Sequence, residues 1–194
     1  SDVYKRQLST VVVKLDNTAV PAAQITNTAI TNGYRFTYTP ATALSDGSHT
    51  VTVNASDYDG NAAVQKSTTF KVDTVAPVLN VTAPANNLIT NKVSLTITGT
   101  TNDVTSSPVT VKITLNGADQ GAVTVETGGA FSKQINLAEG SNTIVITATD
   151  SAGKSTTVTR AVKLDTSVPV IKSATITPNP VDAGATMVIS VVIE

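Results

Sequence analysis

The sequence predicts an all-β protein, an extended array of Greek-key β-sandwich modules. Apolar residues alternate at a period of two along short runs, which puts one side chain in two against a core. Turn-forming clusters part these runs every ~8–15 residues, the spacing of sandwich strands. One stretch of the chain also repeats another, so the organisation is modular. Composition agrees. Threonine, valine, alanine and asparagine dominate the 194 residues, and these are strand and turn formers. Charged residues make up 14%, against about 25% in typical soluble domains.

The repeat sets the boundaries. Leu44 to Asp57 (LSDGSHTVTVNASD) lines up with Leu137 to Asp150 (LAEGSNTIVITATD), and Gly60 with Gly153. Further on, Val72 to Val78 (VDTVAPV) matches Leu164 to Val170 (LDTSVPV). Upstream, Val11 to Asn17 matches Val111 to Gly117 more loosely. The offset drifts between these blocks, as loops of different length require.

Residues 1–7 (SDVYKRQ) match nothing downstream and read as a non-native or disordered lead-in, with no signal peptide in view. The first copy, 8–74, opens on the Val11–Leu15 strand and is expected to lack its first strands. In it, Tyr34, Phe36 and Tyr38 alternate onto one strand face. The second copy, 78–166, is expected to be complete. Val93, Leu95 and Ile97 share a face, and Val109, Val111, Ile113 and Leu115 form the next strand. That strand breaks at Asn116-Gly117, a strong two-residue hairpin signal. Val123 and Val125 follow, then Phe131, Ile135 and Leu137. Ile144, Ile146 and Ala148 come next, and Val158, Val162 and Leu164 close the unit. At 169–194, a strand from Val170 to Thr177, a turn at Pro178–Pro180 and a strand from Met187 to Ile193 read as the first two strands of a third module. A lone hairpin of this kind is marginal in water.

The strand ending in Ala-Thr-Asp150-Ser-Ala-Gly153-Lys154, the approach Leu-Ala-Glu-Gly-Ser-Asn-Thr and the linker Val-Asp-Thr-Val-Ala-Pro resemble bacterial immunoglobulin-like domains. The central module is similar to the domain B type of some glucodextranases, and Thr177 to Gly184 (TPNPVDAG) looks like the opening of another such module. The resemblance implies immunoglobulin-like sandwiches arrayed in secreted or surface-anchored bacterial proteins, as accessory units of enzymes, or in phage virions.

The residues offer little catalytic equipment. Cysteine and tryptophan are absent and histidine occurs once. This excludes disulfides, thiolate metal sites and thiol nucleophiles. His49 has Ser48, Asp46 and Asp57 near it in sequence, the residue types of a triad. The second copy, however, has Asn142 at its position, so a polar residue closing a turn explains both. A net charge of −1 gives no footprint for nucleic acid or an anionic membrane, and no apolar run is long enough to span a bilayer.

Asp57-Tyr-Asp-Gly-Asn61 alternates oxygen ligands like a calcium loop. Its glycine is fourth rather than sixth and Thr68 stands where glutamate belongs, so turn chemistry is the better account. A calcium site follows instead from topology. In an immunoglobulin-type sandwich the B–C and F–G loops lie where the chain enters. The incoming linker would thus bring Asp73 to Asn102, Asp103 and Asp150, a set of oxygens suited to Ca²⁺. The plainer account of Asp73 and Asp150, which the sequence favours, is that each starts a turn. No other cofactor is expected.

Tyr34 and Tyr58 are candidate ligand-binding aromatics. Phe36 aligns with core Phe131, which makes core packing the better reading of the Tyr34–Tyr38 face and leaves Tyr58, in a turn, as the more exposed ring. Lys133 shares the parity of Phe131 and Ile135 and reads as an edge-strand charge. The expected function is a non-catalytic spacer in a larger extracellular or surface-exposed bacterial (or phage virion) protein, with adhesion or carbohydrate binding as the alternative. Its expected partners are the neighbouring modules of the chain and a cell-surface glycan or protein, with no nucleic acid and no membrane insertion.

Overall fold

The computed structural model describes residues 8–31 and 33–194, so the lead-in at 1–7 lies outside the described residues. Among these residues there is no α-helix, only a short 3₁₀ turn at Ala22–Gln24, and no helix is long and apolar enough to cross a membrane.

In the first copy, β1 (Leu8–Leu15), β2 (Thr18–Ala19), β5 (Gly47–Asp57) and β6 (Lys66–Val72) form a sheet ordered β2–β1–β5–β6. A separate hairpin pairs β3 (Ile25–Ile30) with β4 (Gly33–Tyr38). The β1–β2 turn is made by Asp16 and Asn17, with φ of 49° and 67°. This left-handed pair is what a two-residue turn needs to match strand twist.

The second copy comprises β7 (Val78–Ala83), β8 (Leu88–Thr90), β9 (Ser94–Asn102), β10 (Thr110–Leu115), β11 (Ala118–Asp119), β12 (Ala130–Asn136), β13 (Gly140–Thr149) and β14 (Ser155–Leu164). They make two sheets, β12–β9–β7 and β11–β10–β13–β14–β8, with β8 running parallel to β14. The fold is an immunoglobulin-like β-sandwich. The hairpin at Asn116-Gly117 takes φ of 50° and 83°, as that dipeptide requires. Strands β1, β2, β5 and β6 pair in the order of β10, β11, β13 and β14. Counterparts of β7 and β9 are not among the described residues of the first copy.

The core lies between the two sheets of the second copy. Ile97, Ile113, Ile144 and Ile146 are fully buried, with Phe131, Ile135, Leu137, Val162 and Leu164 around them. Val93, in phase with Leu95 and Ile97, stands half-exposed. It lies one residue before β9 begins, at the sheet margin, where its carbonyl accepts the Leu137 N–H. The sequence also hid β7 and β8, whose Leu79, Val81 and Leu88 pack on the core.

In the first copy Val13 is the sole buried apolar residue among the described residues. Phe36 and Tyr38 instead line an open cavity of about 440 Å³ with Leu15, Ile25, Val51 and Phe70. The last two strands, β15 (Ile171–Thr177) and β16 (Val188–Ile193), pair with each other and are exposed along both faces.

Gly99 marks the tightest approach inside the core. It sits opposite Phe131 in the β9–β12 register, and a Cβ there would lie 2.5 Å from both the Phe131 Cζ and the Asn80 carbonyl oxygen. The ring can shift only into a filled core, and the carbonyl belongs to a paired strand. Gly99→Ala is therefore expected to destabilise the second copy by at least about 1–3 kcal/mol. Chemical denaturation of the two proteins checks this; an unchanged midpoint would mean that β7 yields freely.

Candidate functional site

The functional geometry gathers where the chain leaves one copy and enters the next. At the first joint, Thr74 donates its N–H to Asp46 Oδ1 and its hydroxyl to Asp46 Oδ2, both at 2.9 Å. At the second joint, Thr166 donates its N–H to Glu139 Oε1 at 3.2 Å and its hydroxyl to Glu139 Oε2 at 2.9 Å. Asp46 and Glu139 occupy the same place in the repeat, in the turn before β5 or β13. Each clamps the outgoing Asp-Thr to its own copy. Sequence reasoning missed this pairing. The signal was present, since an acid precedes glycine in both turns and an Asp-Thr follows each last strand.

Beyond the clamp the linker is fixed again. Pro77 is fully buried and its carbonyl accepts the Thr156 hydroxyl at 2.6 Å. The Lys71 ammonium reaches across to the Thr105 carbonyl in the β9–β10 loop, 3.0 Å away.

These anchors bring Asp73 to the β9–β10 loop and the β13–β14 turn. One carboxylate oxygen each from Asp73, Asp103 and Asp150 lie within 4.8 Å of one another. Asp103 and Asp150 are buried, and Asp73 is partly so. In each carboxylate Oδ1 accepts backbone N–H groups: Val75 for Asp73, Thr105 and Ser106 for Asp103, Ala152 and Lys154 for Asp150. Oδ2 of Asp73 and Oδ2 of Asp150 are buried without a partner. Among the described residues none of the three makes an ion pair. Within 4.8 Å of each other, two unit charges repel by about 3.5 kcal/mol or more at an effective dielectric near 20, against roughly 0.9 in bulk water. Burial puts this group nearer the first figure.

Asn102 stands apart from the three. It ends β9 with its side chain exposed, on the opposite face from buried Thr101 and Asp103. Strand alternation turns it away from the carboxylates.

His49 is held as a structural residue. Its Nδ1 lies 2.7 Å from Asp16 Oδ2 and its Nε2 lies 2.8 Å from the Ser45 carbonyl, and its ring stacks on Phe70. Two acceptors facing two ring nitrogens favour the imidazolium, with the Ser45 carbonyl the larger influence and Asp16 the next. In the second copy Asn116 and Asn142 fill the same places, with Asn116 Nδ2 donating to Asn142 Oδ1 at 3.1 Å. Two amides there do the work of an ion pair.

The Asp57–Asn61 segment is a satisfied turn. Asp57 Oδ1 accepts the N–H of Asp59 and Asn61, and Oδ2 accepts the Asn61 side-chain amide at 2.9 Å. That amide is the main reason its carboxyl lies below the ordinary range. In this turn Tyr58 is 71% exposed, whereas Tyr34, at 51%, leans toward Phe36 with ring centroids 6.4 Å apart. Tyr34, Phe36 and Tyr38 thus grade from exposed to half-buried along β4 and do not form one flat platform. Lys133, on edge strand β12, donates to the Ala122 carbonyl.

The His49 pair carries a pH dependence. The histidine is raised above its ordinary 6.5 and Asp16 lowered below its ordinary 3.8, chiefly by the Thr50 N–H and then His49. A raised base stabilises fully below 6.5 and loses that contribution as pH climbs through its folded value. The lowered acid contributes above 3.8 and loses it as pH falls through its own. The first copy is therefore expected to melt lower as pH rises from about 6 to 9. In Asp16→Asn/His49→Asn, which copies the amides of the second unit, that slope should vanish in thermal scans.

Residues 77–166 match the family model of glucodextranase, domain B, and residues 3–74 match that of a bacterial Ig-like domain. No curated protein matches the chain. Among solved structures, the fibronectin(III)-like modules of Clostridium thermocellum CbhA are 20% identical over 82% of this chain and 79% of theirs, with a TM-score of 0.48. SGBP-B of the Bacteroides ovatus mixed-linkage glucan utilization locus, solved with a mixed-linkage heptasaccharide, is 19% identical over 85% of this chain and 40% of its own, with a TM-score of 0.28. The tandem Ig repeats of Dlar are 14% identical over 83% of each chain, with a TM-score of 0.31. The chain is an immunoglobulin-like β-sandwich protein, matching the bacterial Ig-like domain family in its first part and glucodextranase domain B, a domain of the same Ig-like type, in its second.

Proposed function

We propose that the chain is a non-catalytic spacer segment of a larger secreted or surface-exposed bacterial or phage virion protein. Its units are 8–74, 78–166 and 169–194, and its immediate partners are the neighbouring modules of the same chain. The observation that carries this reading is the duplicated clamp: Asp46 on Thr74 and Glu139 on Thr166 restrain the chain at the same point of both copies. A freely swinging linker has no use for such a device, whereas a segment that projects other domains gains reach from each restrained joint.

The absence of cysteine makes site-directed spin labelling clean. With labels at Ser67→Cys and Lys112→Cys, the distance distribution across the first joint is expected to be narrow. Asp46→Ala should broaden it while lowering stability by no more than about 1 kcal/mol, as befits exposed bonds. An unmodified joint already as broad as the variant would end the spacer reading.

A second reading, adhesion or carbohydrate binding at a cell surface, draws on the exposed Tyr58 ring and, less strongly, on Tyr34. Flat exposed aromatics stack on sugar faces, and losing one is expected to reduce glycan binding at least about tenfold. A glycan array comparing the unmodified chain with Tyr58→Ala and Tyr34→Ala decides it; no signal, or equal signal from all three, removes this reading.

A further inference from the structure

We infer that Asp73, Asp103 and Asp150 form a calcium site that joins the linker to the two loops at the entrance of the second copy. The ligands come from three separate segments: the linker, the β9–β10 loop and the β13–β14 turn. All are carboxylate oxygens, with no histidine or thiolate among them, a hard set that suits Ca²⁺ better than zinc or copper. Water and main-chain carbonyls are ordinary calcium ligands that fill the remaining coordination.

An acidic cluster alone would not support this. The decisive feature is the orphaned oxygen of Asp150, a residue only 6% exposed whose Oδ2 is buried without a partner. The chain supplies its own control. Asp57 holds the equivalent turn of the first copy, and there Asn61 donates its amide to Oδ2. At the position of Asn61 the second copy has Lys154, whose backbone N–H still binds Oδ1 while Oδ2 is left unmet. The same holds between the linkers. Asp165 bonds the Ser167 backbone and hydroxyl and lies 3.6 Å from the Lys163 ammonium, whereas Asp73 Oδ2 is buried and unmet. Among the described residues the buried side-chain oxygens without a partner are Oδ2 of Asp73 and Oδ2 of Asp150, both where the three segments converge. One oxygen of each carboxylate is already fixed by backbone N–H groups, so the other is aimed before any ion arrives.

The test is calorimetric titration of the intact chain with CaCl₂ after chelator treatment, alongside thermal melting. The expected result is one ion per chain, with affinity at or tighter than the ~10⁻⁴–10⁻³ M of extracellular modules, and a higher melting temperature. Asp103→Asn and Asp150→Asn keep the amide-capping oxygen and are expected to weaken binding about tenfold or more, since affinity follows ligand charge. Lys154→Asn guards against misfolding as an explanation. It restores the partner seen in the first copy, should leave the fold intact by circular dichroism, and should also weaken binding. Absence of heat and of any melting shift at ~10 mM calcium overturns the site. So does full-strength binding by Asp73→Asn/Asp103→Asn, which would put the ion elsewhere. The inference deepens the spacer reading, yet the titration reads ion binding alone and the spin-label distances read the joint, so either can fail without the other.

Discussion

Two fixed points on the chain, three residues apart, govern what this molecule can do. Thr74 is tied back to Asp46 in the first copy, and Pro77 is sunk into the second with its carbonyl held by Thr156. An extended chain covers only ~3.3–3.6 Å per residue, so the linker between these points has little slack. Asp73 adjoins the first anchor and is thereby delivered to Asp103 and Asp150. The Lys71 contact with the Thr105 carbonyl and the pairing of β6 up to Val72 hold the same segment from the other side.

The duplicated architecture turns the protein into its own comparison. Strand pairing is repeated, the order β2–β1–β5–β6 matching β11–β10–β13–β14, although Val13 is the sole buried apolar residue among the described residues of the first copy. Polar detail is not. Asp16 with His49 in one copy becomes Asn116 with Asn142 in the other, exchanging a titratable pair for a neutral one at the same turn. Asp57 with Asn61 becomes Asp150 with Lys154, exchanging a closed turn for one with an unmet oxygen. A buried polar atom without a partner is costly. The fold tolerates it at Asp150 Oδ2, in the turn that faces the incoming linker, and at Asp73 Oδ2, in the linker itself.

Much of this was legible in the residues. Period-two alternation located the inward faces of β9, β10, β12, β13 and β14, and the Asn116-Gly117 dipeptide located its hairpin, because both signals are local; Val123 and Val125 form no strand, Val125 making only an isolated bridge to Phe131. Strand β8, at three residues, is too short for alternation to register, and Pro84, Asn86 and Asn87 between it and β7 read as a turn that ends any regular pattern there. The carboxylate group came from topology, which places the entry loops beside the linker. Alternation along β9 separates Asn102 from it: Thr101 and Asp103 face inward, so the residue between them must face out. The Asp46 and Glu139 clamps needed the repeat to be compared at its polar positions as carefully as at its apolar ones.

The strength of the joint can be bounded. The clamp bonds are exposed, so each contributes near the low end of about 0.5–1.5 kcal/mol. Two of them, with the Lys71 contact, come to roughly 2 kcal/mol, which leaves the linker released a few per cent of the time. Such a joint is restrained without being rigid, and the chain has no cysteine with which to lock it covalently. An ion held by both the linker and the loops adds RT ln(1 + [L]/Kd), about 1.4 kcal/mol at tenfold above Kd. That lowers the released fraction about tenfold, to a few tenths of a per cent. Calcium at Asp73, Asp103 and Asp150 would therefore act on the hinge itself, removing most of the small released fraction that the clamps leave.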